Sequence, residues 1–260
     1  MKQLEKALNS QLFIRTQKGV RLTAEGELLF PYVERGIENL LDGERMLRRL
    51  VDLDMGEVRI GASDMTLQFY LLPHLERFHG RYPNIKVMVS NAPTPETIQS
   101  LYEGSIDFGV VSTPFDARPE VAVRPVKKIR NVFVAGSQYQ SLKGKRLEYG
   151  ALMDLPCIFL EKNTSTRRFM DQFLEERGIF LEPEFELATS DMVVQFAMRN
   201  LGIGCVMDEF AREKIEAGEL FELTFGERMP DREICIVTDR KNPVSPAGER
   251  FLEVLGASGI

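Results

Sequence analysis

The chain has no tryptophan, two histidines and three cysteines in 260 residues. Cys157, Cys205 and Cys235 stand far apart, with no CxxC pair and no even framework. That argues against a disulfide scaffold and a cysteine-rich zinc module, and suits a reducing compartment. His74 and His79 are five residues apart, which puts them on different faces of a helix, and neither sits in an HExxH pattern. No run approaches the ~18–20 apolar residues needed to cross a bilayer. The start, MKQLEKALNSQLF, lacks the apolar core and small-residue cleavage site of a secretory signal. We therefore expect a cytoplasmic protein with no membrane partner, no metal and no cofactor. Hydrophobic residues at 43% and charged residues at 28% describe an ordinary folded chain, long enough for one to three domains.

A net charge of −6 conceals an uneven distribution. Residues 1–22 carry Lys2, Lys6, Arg15, Lys18 and Arg21 against Glu5 alone, a balance of +4. The other 238 residues hold 28 basic and 38 acidic side chains, a balance of −10. A basic head on an acidic body suggests an anionic polymer at one end; an ordinary solvated terminus is the plainer reading.

The chain divides into three textures. MKQLEKAL has helical spacing, with Leu4 and Leu8 on one face, yet nothing caps its start. Two short runs around Thr16-Gln17-Lys18-Gly19 then read as a β-hairpin, with Arg15, Lys18 and Arg21 at and beside its tip. Thr23 is a candidate N-cap for a long helix over about 24–53, with Glu25 and Glu27 in its first turn. Val33, Leu40 and Leu47 recur every seven residues with Ile37 beside them, a stripe suited to pairing with a second copy. Pro31 is expected to kink that helix or mark a later start. From Gly56 onward, strand-like runs alternate with amphipathic segments, the pattern of an α/β fold with mainly parallel sheets. Val121–Ala135 lacks a helix and is a candidate crossing between two subdomains.

The order of these pieces resembles the LysR-type bacterial transcriptional regulators over nearly the whole chain. Residues 1–8 are similar to the second half of that family's recognition helix. Leu12-Phe13-x-Arg15 and Val20-x-Leu22-Thr23-x-x-Gly26 resemble its wing and the start of its linker helix. Ile60-Gly61-Ala62-Ser63, Leu71-Leu72-Pro73, Tyr82-Pro83, Leu101 to Gly109 and Gly202-Ile203-Gly204 resemble its effector domain.

The resemblance implies a two-subdomain, periplasmic-binding-protein-like (type 2) α/β effector domain, preceded by a partial winged helix-turn-helix and a long linker helix. The expected parts are residues 1–23 for the partial winged helix, 24–54 for the linker and dimer helix, 55–125 with 231–260 for subdomain I, and 126–230 for subdomain II. It also implies DNA as a partner through Lys2, Lys6, Arg15, Lys18 and Arg21. A homodimer or homotetramer would form through Val33, Ile37, Leu40 and Leu47, and a small-molecule effector would bind the cleft. The family's first helices and the front of its recognition helix have no counterpart after Met1. Base reading sits mainly in that missing part, so this chain alone is expected to be defective in specific DNA binding, as a shortened form of a longer regulator.

Within the body, hydroxyls cluster after strands. Ser63 and Thr66 follow one strand, Ser112 and Thr113 another. Thr164 and Ser165 open one helix, and Ser190 opens another. Helix starts present free N–H groups, and open α/β sheets bind ligands beyond their strand ends. Together these seven residues suit a small, anionic metabolite; each could equally be a plain N-cap. Asp64 would repel an anion and is expected to cap or face solvent. Gly61-Ala62-Ser63-Asp64-Met65 is a near miss to the GxSxG hydrolase elbow, with no histidine placed to serve it. No catalytic residue is assigned, and an enzyme is not expected. The alternative to a regulator is a cytoplasmic small-molecule binding module without regulatory output.

Overall fold

The computed structural model describes residues 2–16, 19–51 and 56–257, and for residues 2, 16 and 46–51 the backbone only. Residues 1–53 and 54–260 form two separate units.

In the first unit, α1 (Lys2–Leu8) leads to the antiparallel hairpin β1 (Phe13–Thr16) and β2 (Gly19–Leu22), then to α2 (Ala24–Val51). Glu5 Oε1 accepts from the backbone N–H of Leu12 at 2.9 Å and of Phe13 at 3.2 Å, tying the hairpin to α1. Thr23 caps α2, its hydroxyl accepting from Gly26 N–H at 3.0 Å. A Cβ at position 26 would strike the Leu12 carbonyl, so only glycine lets the helix start this close to the hairpin. Pro31 neither breaks α2 nor marks its start: the helix runs unbroken through it. A proline removes one hydrogen bond, and a helix of 28 residues absorbs that loss.

The second unit holds two five-stranded sheets. Its first strands and helices are β3 (Gly56–Ala62), α3 (Asp64–Thr66), α4 (Leu72–Arg81), β4 (Ile85–Asn91), α5 (Thr94–Tyr102), β5 (Phe108–Ser112) and β6 (Val121–Ile129). Then come β7 (Asn131–Ala135), β8 (Arg146–Leu147), β9 (Cys157–Leu160), α6 (Ser165–Glu175), β10 (Phe185–Leu187), α7 (Ser190–Met198) and β11 (Ile203–Met207). The chain ends with α8 (Asp208–Glu216), β12 (Phe221–Glu222), β13 (Thr224–Phe225), β14 (Arg232–Asp239) and α9 (Pro246–Val254).

One sheet has the order β4-β3-β5-β14-β6 and the other β10-β9-β11-β7-β12. In each, the strands joined by helical crossovers pair in parallel: β3 with β4 and β5, and β9 with β10 and β11. The strand that crosses over enters antiparallel, β14 beside β5 and β7 beside β11. Central β5 and β11 are buried at every residue, as strands covered on both faces must be. Phe78, Phe108 and Phe251 pack edge-on or tilted in the first core. In the second, Tyr149 stacks flat on Phe225, and Phe133 and Phe173 meet them edge-on or tilted.

The chain crosses between sheets twice, at Arg130 between β6 and β7 and between β13 and β14. The expected boundary at 125/126 falls inside β6. Both crossings end at a polar residue, Asn131 and Arg232, and these two side chains meet. A π-turn, Leu67–Leu71, separates α3 from α4 just before Pro73. Pro73 has no N–H for the Phe69 carbonyl four residues back. That carbonyl accepts from Lys127 Nζ on β6 at 3.2 Å instead.

Candidate ligand-binding site

Between the two sheets lies a layer of buried hydroxyls and one arginine. Ser112 ends β5 and Ser165 opens α6; both are buried, and their hydroxyls are 2.6 Å apart across the cleft. Thr94, at the start of α5, donates to Ser165 Oγ at 3.5 Å. Thr113 Oγ1 accepts from Glu233 N–H at 3.0 Å. A small pocket opens above this layer, lined by Thr94, Pro114, Phe115, Asp116, Ser165 and Arg168. Arg168 and Asp116 close its rim with an exposed ion pair at 3.1 Å, a contact worth little by itself.

Other expected ligand hydroxyls do local work. Ser63 is the N-cap of α3, and its hydroxyl lies 3.2 Å from that of Thr66. Thr66 is fully buried and donates to the Val110 carbonyl at 2.9 Å, which binds α3 to β5. Thr164 caps α6, accepting from Arg167 N–H at 3.2 Å. Ser190 is buried at the start of α7, where Thr189 supplies the cap.

Asp64 faces neither solvent nor its own helix alone. Half-buried, its carboxylate takes backbone N–H groups of Met65 and of Ser190. Burial outweighs those bonds and holds its carboxyl above the usual aspartate value of 3.8. The N-terminus of α7 thus already faces an acid from the opposite subdomain.

Sequence reasoning missed Arg232 and Asn131. Arg232 is 2% exposed. Its Nε donates to Asn131 Oδ1 at 2.9 Å, Nη1 to the Thr113 carbonyl at 2.8 Å and Nη2 to Thr166 Oγ1 at 2.9 Å. It links three segments that the sequence scatters over a hundred positions. A lone base heading the apolar run Ile234–Val237 was the available signal.

The hydrolase elbow has no support in this geometry. Ser63 is engaged with Thr66, and His74 Nδ1 lies 2.7 Å from Arg77 Nη2. Among the described residues, no group of acids, histidines and cysteines could hold a metal ion, and no helix is long and apolar enough to cross a membrane. All three thiols are buried, and burial pushes Cys157 and Cys205 up to about 12 and Cys235 up to about 11.

In the first unit, the register pairs Ile14 with Arg21 and Arg15 with Val20, so Arg15 and Arg21 fall on opposite faces of the hairpin. Both are exposed, as is Lys6 on α1. Val33, Ile37 and Leu40 are 40%, 52% and 75% exposed along α2. Lys18 lies outside the described residues, as do the side chains of Lys2 and Leu47.

Comparison with known proteins adds three findings. The family profile described as LysR substrate binding domain matches residues 52–259. A probable RuBisCO transcriptional regulator from Cyanidium caldarium is 27% identical over 260 residues, covering 97% of this chain and 82% of that protein. Two solved effector domains share the fold. The regulatory domain of Synechocystis PCC6803 CcmR in complex with 2-PG has a TM-score of 0.70 at 19% identity, covering 78% of this chain and 97% of that one. The effector binding domain of QuiR in complex with shikimate has a TM-score of 0.67 at 16% identity, covering 77% and 95%.

Proposed function

The chain belongs to the LysR family of transcriptional regulators, and we propose that residues 55–260 sense a small anionic metabolite held between their two subdomains. The observation that carries this reading is the Ser112–Ser165 pair, two hydroxyls from opposite subdomains buried 2.6 Å apart under an open pocket. Buried polar groups cost stability unless paired. A cleft faced with hydroxyls and helix N-termini keeps that chemistry for a partner that supplies acceptors. Ser165 lines the pocket, Ser112 lies against it, and Thr113 neighbours the lining residue Pro114. Ser63, Thr66, Thr164 and Ser190 shape the helix starts around it. An effector that fits one subdomain arrangement better than another shifts the balance between them. The first unit supplies the output: exposed Lys6, Arg15 and Arg21 suit contact with a phosphate backbone, and the bare stripe of Val33, Ile37 and Leu40 suits a second copy. Such a regulator works in the cytoplasm without enzymatic turnover.

The relatives in complex with 2-PG and with shikimate indicate the class of probe. Thermal unfolding of the chain is measured with shikimate, 2-phosphoglycolate and inorganic phosphate. A binder at a hundred times its Kd adds about 2.7 kcal/mol, a rise of several degrees. Ser165→Ala removes a direct contact and should weaken binding about tenfold, roughly 1.4 kcal/mol. An unchanged shift in Ser165→Ala would move the site elsewhere.

A further inference from the structure

The second unit buries two arginines, and they are treated oppositely. Arg167, 3% exposed, has carboxylates on both sides. Its Nε lies 2.8 Å from each Asp171 oxygen, and Nη1 lies 2.9 Å from Glu186 Oε1. Arg232, 2% exposed, has none among the described residues. Its acceptors are a carbonyl, an amide oxygen and a hydroxyl, all neutral. Burial pushes the guanidinium down to about 10, and among the described residues the Cys205 thiol is the one acidic group acting on it. A buried charge ordinarily has a partner of opposite sign. Here that partner is missing at the one place where both crossings, the β5 end and the α6 start come together.

Two details place the deficit at the start of α6, where Ser165 lines the pocket. Thr166 Oγ1 accepts from Arg232, so its own proton is left to donate. Ser165 and Thr166 begin α6, a helix of 11 residues whose first N–H groups have no partner within it. The start of α7 differs, because the Asp64 carboxylate already lies against Ser190 N–H.

We propose that Arg232 selects the charge of the effector: an anionic group seated at the start of α6 bonds Thr166 and Ser165 and neutralises the guanidinium one side chain behind them. This rests on the reading of the cleft as an effector site. Two hydrogen bonds in series put the anion about 5–6 Å from the guanidinium, close enough for opposite charges to act strongly away from water. Arg232 positions the Thr113 carbonyl and the Thr166 hydroxyl as well as supplying charge.

The test uses the full chain, with shikimate, its neutral methyl ester and inorganic phosphate as probes, in wild type, Arg232→Gln and Arg232→Lys. Wild type should bind shikimate and phosphate at least tenfold more tightly than the ester. Arg232→Gln should lose tenfold or more for both anions and much less for the ester, so that the preference for acid over ester collapses. Arg232→Lys should stay within about threefold of wild type. Undiminished anion binding by Arg232→Gln overturns the proposal. Equal binding of acid and ester by wild type overturns it too, while leaving the cleft as the effector site. Binding of none of the three overturns both. If the variants fail to fold, the Arg232 side-chain Nε–H resonance of wild type is followed during phosphate titration. It should shift with saturation while that of Arg167 stays still; an unmoved Arg232 signal counts against the proposal.

Discussion

Asp64 shows how one side chain can reverse a local expectation. It lies in the first turn of α3, where an acid is ordinarily favoured by the helix dipole. Burial against the second subdomain instead favours its neutral form. The folded protein therefore holds this proton more tightly than the unfolded chain. The stability that Asp64 contributes is fully present below 3.8 and is lost as pH rises through the folded value. Asp64→Asn cannot ionise and removes that slope. Urea unfolding of both proteins should show the wild-type advantage shrinking as pH rises above 3.8 and then levelling off. An advantage that grows with pH would mean that the Met65 and Ser190 N–H groups outweigh burial. Arg232 was hidden at this same scale. Its importance lies in what is absent around it, and a sequence cannot display the lack of a carboxylate partner.

At the scale of elements, alternation of strand-like and amphipathic runs was enough to read the α/β architecture, because central strands buried on both faces are apolar throughout. The crossing in Val121–Ala135 was legible too, as two strands with no helix between. The π-turn before Pro73 was not, since the lysine that answers its Phe69 carbonyl lies 58 positions further on. Nor was the continuity of α2 through Pro31. Gly202-Ile203-Gly204, which fits no dinucleotide motif, has a packing cause. Gly202 has φ +158°, and a Cβ there would stand 2.6 Å from the Pro156 carbonyl oxygen. Gly204 sits against Val193, where a Cβ would come within 2.8 Å. Gly202→Ala should cost about 2 kcal/mol or more, as strained backbone positions do, seen as a lower urea midpoint with unchanged slope. A loss under about 0.5 kcal/mol would mean that the β9–β11 region yields easily.

For the whole molecule, the family resemblance located the cleft, but not which hydroxyls meet in it. Ser112 and Ser165 converge because two sheets are threaded by two crossings, a long-range consequence that strand-end position alone only suggests. Thr66, Ser63 and Thr164 look equivalent to them in sequence and are spent on bonds within their own subdomains. The most direct test of a ligand held between the subdomains is to lock them. Hydroxyls 2.6 Å apart place Ser112→Cys and Ser165→Cys within reach of a disulfide. Oxidised, the double variant should lose the thermal shift given by the strongest binder among shikimate, 2-phosphoglycolate and phosphate, and reductant should return it to the weakened level expected once the Ser165 hydroxyl is gone. A locked protein that shifts as much as the reduced one would contradict the account.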